Sequence, residues 1–139
     1  MISNSQIQAG WIASLKSKTN ITSRVSSTEI REDLWKGERF SYPNIRVKLG
    51  DLTPQNSNPN CNTFHSPVAI QVYIEQKSSK QADDIAGVVA TEYVGKSFTS
   101  NGVRFYGIIL ESLSPAMVPE EDPNSWRSVA NLVALVSPA

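Results

Sequence analysis

The chain has 139 residues, of which 40% are hydrophobic and 19% charged. This size and composition are typical of one folded domain, which we expect over residues 1–139. Thirteen basic residues balance thirteen acidic ones, so no overall field favours nucleic acid or anionic membranes. The apolar stretches fall short of the roughly 20 residues that cross a bilayer, and no signal-peptide pattern opens the chain. We expect a protein of the cytoplasm, or of a particle assembled there.

Two segments have the periodicity of amphipathic helices. In the first, apolar residues recur at every fourth position from Ile7 to Leu15, which predicts a helix that ends near Lys18. In the second, Ser78 begins a capping-box pattern, and an apolar helical face follows that ends near Gly95. A short element of undefined type is expected near residue 30.

Four segments alternate between apolar and polar residues as strands do: Ile45 to Leu49, Val68 to Ile74, Val103 to Leu110 and Trp126 to Val136. Arg46 and Lys48 give the first strand a basic outer face. The third is apolar on both faces, with Phe105 and Ile109 on one face and Ile108 on the other. We therefore expect it at the centre of the sheet.

The element order α, β, β, α, β, β predicts an α+β fold. It consists of a single mixed or antiparallel sheet of about four to five strands, with two helices packed on one face. The other face would carry Gln71, Tyr73, Arg104 and Tyr106 or their neighbours. That face is polar enough to be wet and aromatic enough to contact a partner.

Two long segments favour neither helix nor strand. The first runs from Gly50 to Phe64 and the second, rich in proline, from Ser114 to Ser125. Loops of this length inside a compact domain are usually functional or disordered.

Candidate catalytic residues are few. His65 could act as a general base with Ser66 or Cys61 as nucleophile, but neighbours along a strand rarely point together, and local hydrogen bonding is the favoured interpretation. The single cysteine, Cys61, lacks basic neighbours that would lower the pKa of its thiol, and it excludes an internal disulfide.

Acidic pairs have structural explanations. Asp83 and Asp84 suit the first turn of the second helix, where the helix dipole favours carboxylates. Glu120, Glu121 and Asp122 form an acidic loop without the ligand spacing of a calcium site. Nucleotide-binding and metal-binding motifs are missing from the sequence. We predict no catalytic activity, no cofactor and no metal.

Several segments together resemble the tail terminator, or tail-completion, proteins of long-tailed bacteriophages. The segments are Glu29–Glu32, Trp35–Gly37, Phe40–Gly50, Thr53–Pro54, Phe64–His65, Ser78–Ala86 and Trp126–Arg127. The resemblance implies a small α/β subunit that forms a ring, usually a hexamer, in the virion. That ring would cap the tail tube, end its polymerisation and join the head-completion or neck proteins, possibly with a sheath terminal ring, while DNA passes through its lumen without specific binding.

A closed ring needs two different complementary patches on each subunit. Arg46 and Lys48 on one patch could face the acidic loop of Glu120, Glu121 and Asp122 on another. The remaining interface candidates are Trp35, whose charged surroundings suit an interface better than those of Trp11 or Trp126, and the loop residues Asp51, Gln55, Asn58 and Asn60.

Two alternatives stay open. A head-completion or neck ring protein of the same joint would share the size and the lack of catalysis. A small enzyme or ligand-binding domain would need polar residues that converge in a pocket.

Overall fold

The computed structural model describes residues 2–32, 41–51, 66–119 and 125–139. Helix α1 spans Asn4–Ser17, α2 spans Thr19–Thr22 and α3 spans Ser79–Tyr93, with a 3-10 turn at Ser27–Glu29. The strands are β1 (Ile30–Glu32), β2 (Asn44–Leu49), β3 (Ser66–Gln76), β4 (Phe98–Ser100), β5 (Val103–Met117) and β6 (Trp126–Pro138).

Both long helices begin at serine caps: α3 at the predicted Ser78, and α1 at Ser3, one of the three possible caps Ser3, Asn4 and Ser5. The Ser3 hydroxyl accepts a hydrogen bond from the Gln6 amide at 3.1 Å, and the Ser78 hydroxyl accepts one from the Gln81 amide at 3.4 Å. Each bond satisfies one of the backbone donors that a helix start leaves unpaired. The local sequence therefore fixes where α1 and α3 begin.

The six strands form one sheet in the order β1-β2-β3-β6-β5-β4. Strand β1 runs parallel to β2 and every other pair is antiparallel, so the sheet is mixed, and the predicted fold class is confirmed. The strand count exceeds the predicted four to five because β1 and β4, of three residues each, are too short to show alternation. The prediction of a central β5 was wrong, since β3 and β6 form the middle of the sheet.

A bulge in β5 changes which of its side chains face the helices. Gly107 has a φ of +58°, and the register with β6 shifts between Tyr106 and Ile109. Left-handed backbone of this kind suits glycine. The extra residue moves Ile108 to the buried face and turns Ile109 outward, where it is 58% exposed. The prediction that Ile109 shares a face with Phe105 was therefore wrong.

The second predicted loop starts later than expected. Residues Ser114 to Met117 belong to β5, which continues past Pro115. Proline is tolerated there because a strand edge does not require its missing N–H group.

The two long helices pack on the same face of the sheet. Trp11 of α1 meets Phe105 of β5 with ring centroids 5.5 Å apart, and Asp83 of α3 accepts a hydrogen bond from the Ser128 hydroxyl of β6 at 2.6 Å. Ala130 and Ala134 of β6 are fully buried on this face, in the strand that α3 crosses. Their small side chains allow a helix to approach closely. We call this the helix face.

An aromatic cluster fills one end of the core. The Trp11 ring lies 4.4 Å from that of Tyr93, and Phe98 stacks on Phe105 at 4.7 Å between centroids. The Tyr93 hydroxyl lies 3.0 Å from that of Ser14. Burial raises the pKa of Tyr93 above its usual value, against the smaller lowering effect of that hydrogen bond. The cluster joins α1, α3 and the β4–β5 hairpin.

Candidate interaction surface

The sheet face opposite the helices, called here the outer face, follows from strict alternation along three strands. The register places the four predicted residues Gln71, Tyr73, Arg104 and Tyr106 on it, since their strand neighbours point into the helix face. This confirms the predicted content of that face.

Among the described residues, the outer face is basic although the whole chain is neutral. Five cationic side chains lie on this face, together with the carboxylate of Glu75. The cationic residues are Arg31, Arg46, Lys48, Arg104 and Arg127. The described part of this face therefore carries more positive than negative charge, which the overall composition does not show.

Glu75 is the centre of an ionic cluster on this face. Its Oε1 accepts hydrogen bonds from Nη2 of Arg46 and, at 3.2 Å, from Nη2 of Arg127. The Glu75 side chain is 5% exposed and each arginine side chain is 17% exposed. Two arginine side chains therefore share one buried carboxylate oxygen.

A polar ladder crosses the centre of the outer face. Gln71 donates to Oδ1 of Asn131 at 3.2 Å, and Tyr73 donates to Oε1 of Gln71 at 3.1 Å. Nδ2 of Asn131 then donates to the hydroxyls of Ser112 at 3.0 Å and Ser114 at 3.3 Å. These bonds link β3, β6 and β5. They hold the polar side chains in fixed positions, as a surface prepared for binding requires.

Two arginine–tyrosine stacks flank the ladder. The guanidinium carbon of Arg127 lies 5.3 Å from the centre of the Tyr73 ring, and that of Arg104 lies 5.1 Å from the centre of the Tyr106 ring. Arginine and tyrosine are enriched at protein interfaces. The face therefore has the composition of an interaction surface.

Of the predicted interface residues, three lie in the described part of the chain. Arg46 and Lys48 lie two residues apart on β2 and point to the outer face, opposite Tyr73 and Gln71. Asp51 is exposed just beyond the strand. Arg46 is engaged by Glu75, which leaves Lys48 as the exposed cation of the pair. The other candidates lie outside the described residues: Trp35, Gln55, Asn58, Asn60, Glu120, Glu121 and Asp122.

Sequence reasoning missed Glu75 and Arg127. They face each other on β3 and β6, although 52 residues separate them in the chain. The available signal was Glu75 itself, a carboxylate at an alternating position of β3, the most regular strand. Its partner could be recognised only once the strand register was known.

Catalytic groups do not converge in the described part of the chain. It contains no group of three or more His, Cys, Asp or Glu side chains that could hold a metal ion. Shallow grooves run between α2 and α3, bordered by Arg24, Asp84 and Glu92. His65 and Cys61 lie outside the described residues. Among the described helices, none combines the length and apolar character that a membrane span requires.

Comparison with known proteins shows which solved structures have a similar fold. No protein-family model and no curated protein matches the chain. It is similar to a solved chain of the virion of a native gene transfer agent particle, with 16% identity, a TM-score of 0.67 and 94% of each chain covered. A second solved chain is 12% identical, with a TM-score of 0.62 over 98% of this chain and 96% of the other. The protein therefore shares its fold with a virion chain along nearly its whole length.

Proposed function

We propose that this protein is a structural component of a phage-like virion that forms a ring at the end of the tail tube. The observation that carries the proposal is the fold shared with a gene transfer agent virion chain over 94% of both chains. The segments that resemble tail terminator proteins supply the position in the particle. The basic, preorganised outer face supplies a surface for a protein partner.

In this role the chain acts without catalysis or cofactor. A hexameric ring stops addition of tube subunits and presents its other side to the head-completion or neck proteins. The sheath terminal ring is a further partner in a contractile tail. DNA passes through the lumen without sequence-specific contact. The protein is located in the tail and neck region of the virion.

Charge complementarity between neighbouring subunits supports ring closure. Lys48 is exposed on the outer face next to the Arg46–Glu75–Arg127 cluster. The chain between β5 and β6 contains the acidic residues Glu120, Glu121 and Asp122. We propose that one subunit's basic β2 meets the acidic segment of the next. Asp51, Gln55, Asn58, Asn60 and Trp35 belong to the proposed contacts with tube or neck.

Binding to separated virion parts tests the position. Purified protein is mixed with headless tails and with tailless, DNA-filled heads of the parent particle, and sedimentation measures co-pelleting. The proposal expects binding to the end of the tails. Binding to heads alone would instead assign the protein to the head-completion or neck ring, which is the second candidate function.

A further inference from the structure

Within the described residues, strand β5 has a long open edge. It spans Val103–Met117, but β4 pairs with only its first three residues, from Val103 to Phe105. Beyond that point β6 borders β5 on one side, and within the described residues no strand borders it on the other. An unpaired strand edge presents backbone N–H and C=O groups that can pair with another chain.

Exposed apolar side chains concentrate along this edge. Ile109, Leu113 and Met117 lie in β5, and Val118 follows it, with Met117 63% exposed. Val94 lies near one end of the edge, because it precedes Gly95, whose amide donates to the Ile108 carbonyl at 3.0 Å. The remaining large exposed hydrophobic residue of the described chain, Trp126, lies in β6, on the paired side of β5. Apolar exposure that follows one edge marks a contact surface.

Contacts within the subunit close the two ends of the edge. The Gly95 amide donates a hydrogen bond to the Ile108 carbonyl. At the other end, Asp83 accepts a hydrogen bond from the Ala116 amide at 2.9 Å. Pro115 removes a further donor. The segment between them, residues 109–114, is long enough for about 20 Å of strand pairing. Its one charged residue is Glu111, and it lacks the lysines that often protect exposed edges.

The opposite edge of the sheet has complementary charge. Within the described residues the sheet ends at β1, and Arg31 of β1 lies beside Arg46 of β2 on the outer face. On the outer face the β1 edge thus carries Arg31, whereas Glu32 of the same strand lies opposite Val47, and the β5 edge carries Glu111. Two different edges that complement each other are what a head-to-tail contact around a closed ring requires.

We infer that the β5 edge of one subunit pairs with the β1 edge of a second copy of this chain, so that the sheet continues from subunit to subunit. The inference rests on the ring proposed above and names the contact that closes it. Backbone hydrogen bonds supply the pairing, the apolar residues Ile109 and Leu113 are covered by the neighbour, and Glu111 approaches Arg31.

Site-directed cross-linking tests this pairing on the full chain. Cys61→Ser removes the single native thiol, and Glu111→Cys and Arg31→Cys are then made in separate chains. A short bis-maleimide is added to each variant alone and to the mixture of the two. The experiment is done with purified protein at its highest attainable concentration and again with purified particles. Lys80→Cys, on the exposed side of α3, replaces Arg31→Cys in the control mixture.

The expected result is a cross-linked dimer that forms in the mixture of Glu111→Cys with Arg31→Cys and in neither chain alone. A cross-link in Glu111→Cys alone would show two-fold pairing of β5 edges and overturn the inference. So would an equal yield with Lys80→Cys, or a ring without any cross-link. Protein that stays monomeric and gives no cross-link in particles would overturn it as well.

An edge-blocking variant gives an independent measurement. Ile109→Lys places a charge where the neighbouring strand would pair, and it should shift the native mass from ring to the 15.3 kDa monomer while leaving the thermal unfolding midpoint unchanged. Ala13→Lys, on the exposed side of α1, is the matched control. Rings that persist in Ile109→Lys would refute the edge contact while leaving the tail function intact. Normal tails without the protein would refute the function and leave the contact standing.

Discussion

Glu75 and Arg127 pair across the middle of the sheet, with Oε1 and Nη2 3.2 Å apart and the glutamate side chain 5% exposed. Arg46 donates to the same oxygen. Because this one carboxylate is shared by two partly buried guanidinium groups, loss of its charge should cost more folding free energy than loss of a charge from an exposed pair.

Glu75→Gln should therefore destabilise the fold strongly. The amide keeps the shape of the side chain but leaves two cations close together on the outer face. We expect the free energy of unfolding to fall by on the order of 3 kcal/mol, measured by urea denaturation. Asp84→Asn is the control, because Asp84 pairs with Lys80 at an exposed site, and it should cost less than about 0.5 kcal/mol. Equal effects of the two changes would contradict this description of the cluster.

Glycines in the two long helices should respond in opposite ways to alanine. A Cβ on Gly10 of α1 would lie 2.8 Å from the backbone oxygen of Ser100, so Gly10→Ala must displace the β4–β5 hairpin and should destabilise the protein by about 1–3 kcal/mol. A Cβ on Gly87 of α3 meets nothing within 4 Å. Gly87→Ala should therefore stabilise the protein by about 0.5–1 kcal/mol through helix propensity. Thermal unfolding of both variants measures the difference, and a shift in the same direction would be inconsistent with the α1–hairpin contact.

The buried Tyr93 hydroxyl should contribute stability that declines at alkaline pH. Its usual pKa is 10.0, and burial raises the pKa of the folded protein above that value. Above about pH 10 the unfolded chain loses this proton while the folded chain keeps it, so the free energy of unfolding falls by up to about 1.4 kcal/mol per pH unit.

Comparison with Tyr93→Phe isolates this effect from other titrating groups. At neutral pH the variant should be less stable by about 1 kcal/mol, because the contact with Ser14 is lost. The gap between wild type and variant should shrink as the pH rises from about 9 to about 11. A gap that stays constant in urea denaturation over this range would argue against the raised pKa.

Charge reversal tests the proposed contact between neighbouring subunits. Lys48→Glu, or the pair Glu120→Lys with Glu121→Lys, should weaken ring assembly, with the largest loss at low salt, where attraction between exposed charges is least screened. Combining both sets should restore part of the assembly. Native mass measurements at several salt concentrations record the effect. If Lys48→Glu alone and the Glu120→Lys, Glu121→Lys pair alone both assemble at the wild-type level, these charges do not pair between subunits.

Local patterns were sufficient for much of the fold. Serine caps at Ser3 and Ser78 act on amides three residues away, and alternation along β3 reflects one buried face of a single strand. Such signals lie within a few residues of each other, so the sequence predicted both long helices, the main strands and the outer-face residues.

Features that depend on distant partners were missed. Gly107 shifts the register of β5 against β6, and this reversal of faces cannot be recognised from alternation alone. Strands β1 and β4 exist because neighbours pair with them and not because their three residues show a pattern. The Glu75 cluster likewise requires the β3–β6 register. For the same reason, the sequence predicted Arg46 and Lys48 of β2 as site residues but did not identify Glu75, the buried carboxylate that pairs with Arg46.

The length of tails made without this protein tests the central claim most directly. The gene is deleted from its parent genome, and tail tubes in the lysate are measured by negative-stain electron microscopy. We predict abnormally long tubes without heads, restored to normal length when the wild-type chain is supplied. Tails of normal length lying unattached beside filled heads would contradict tube termination and place the protein on the head side of the joint.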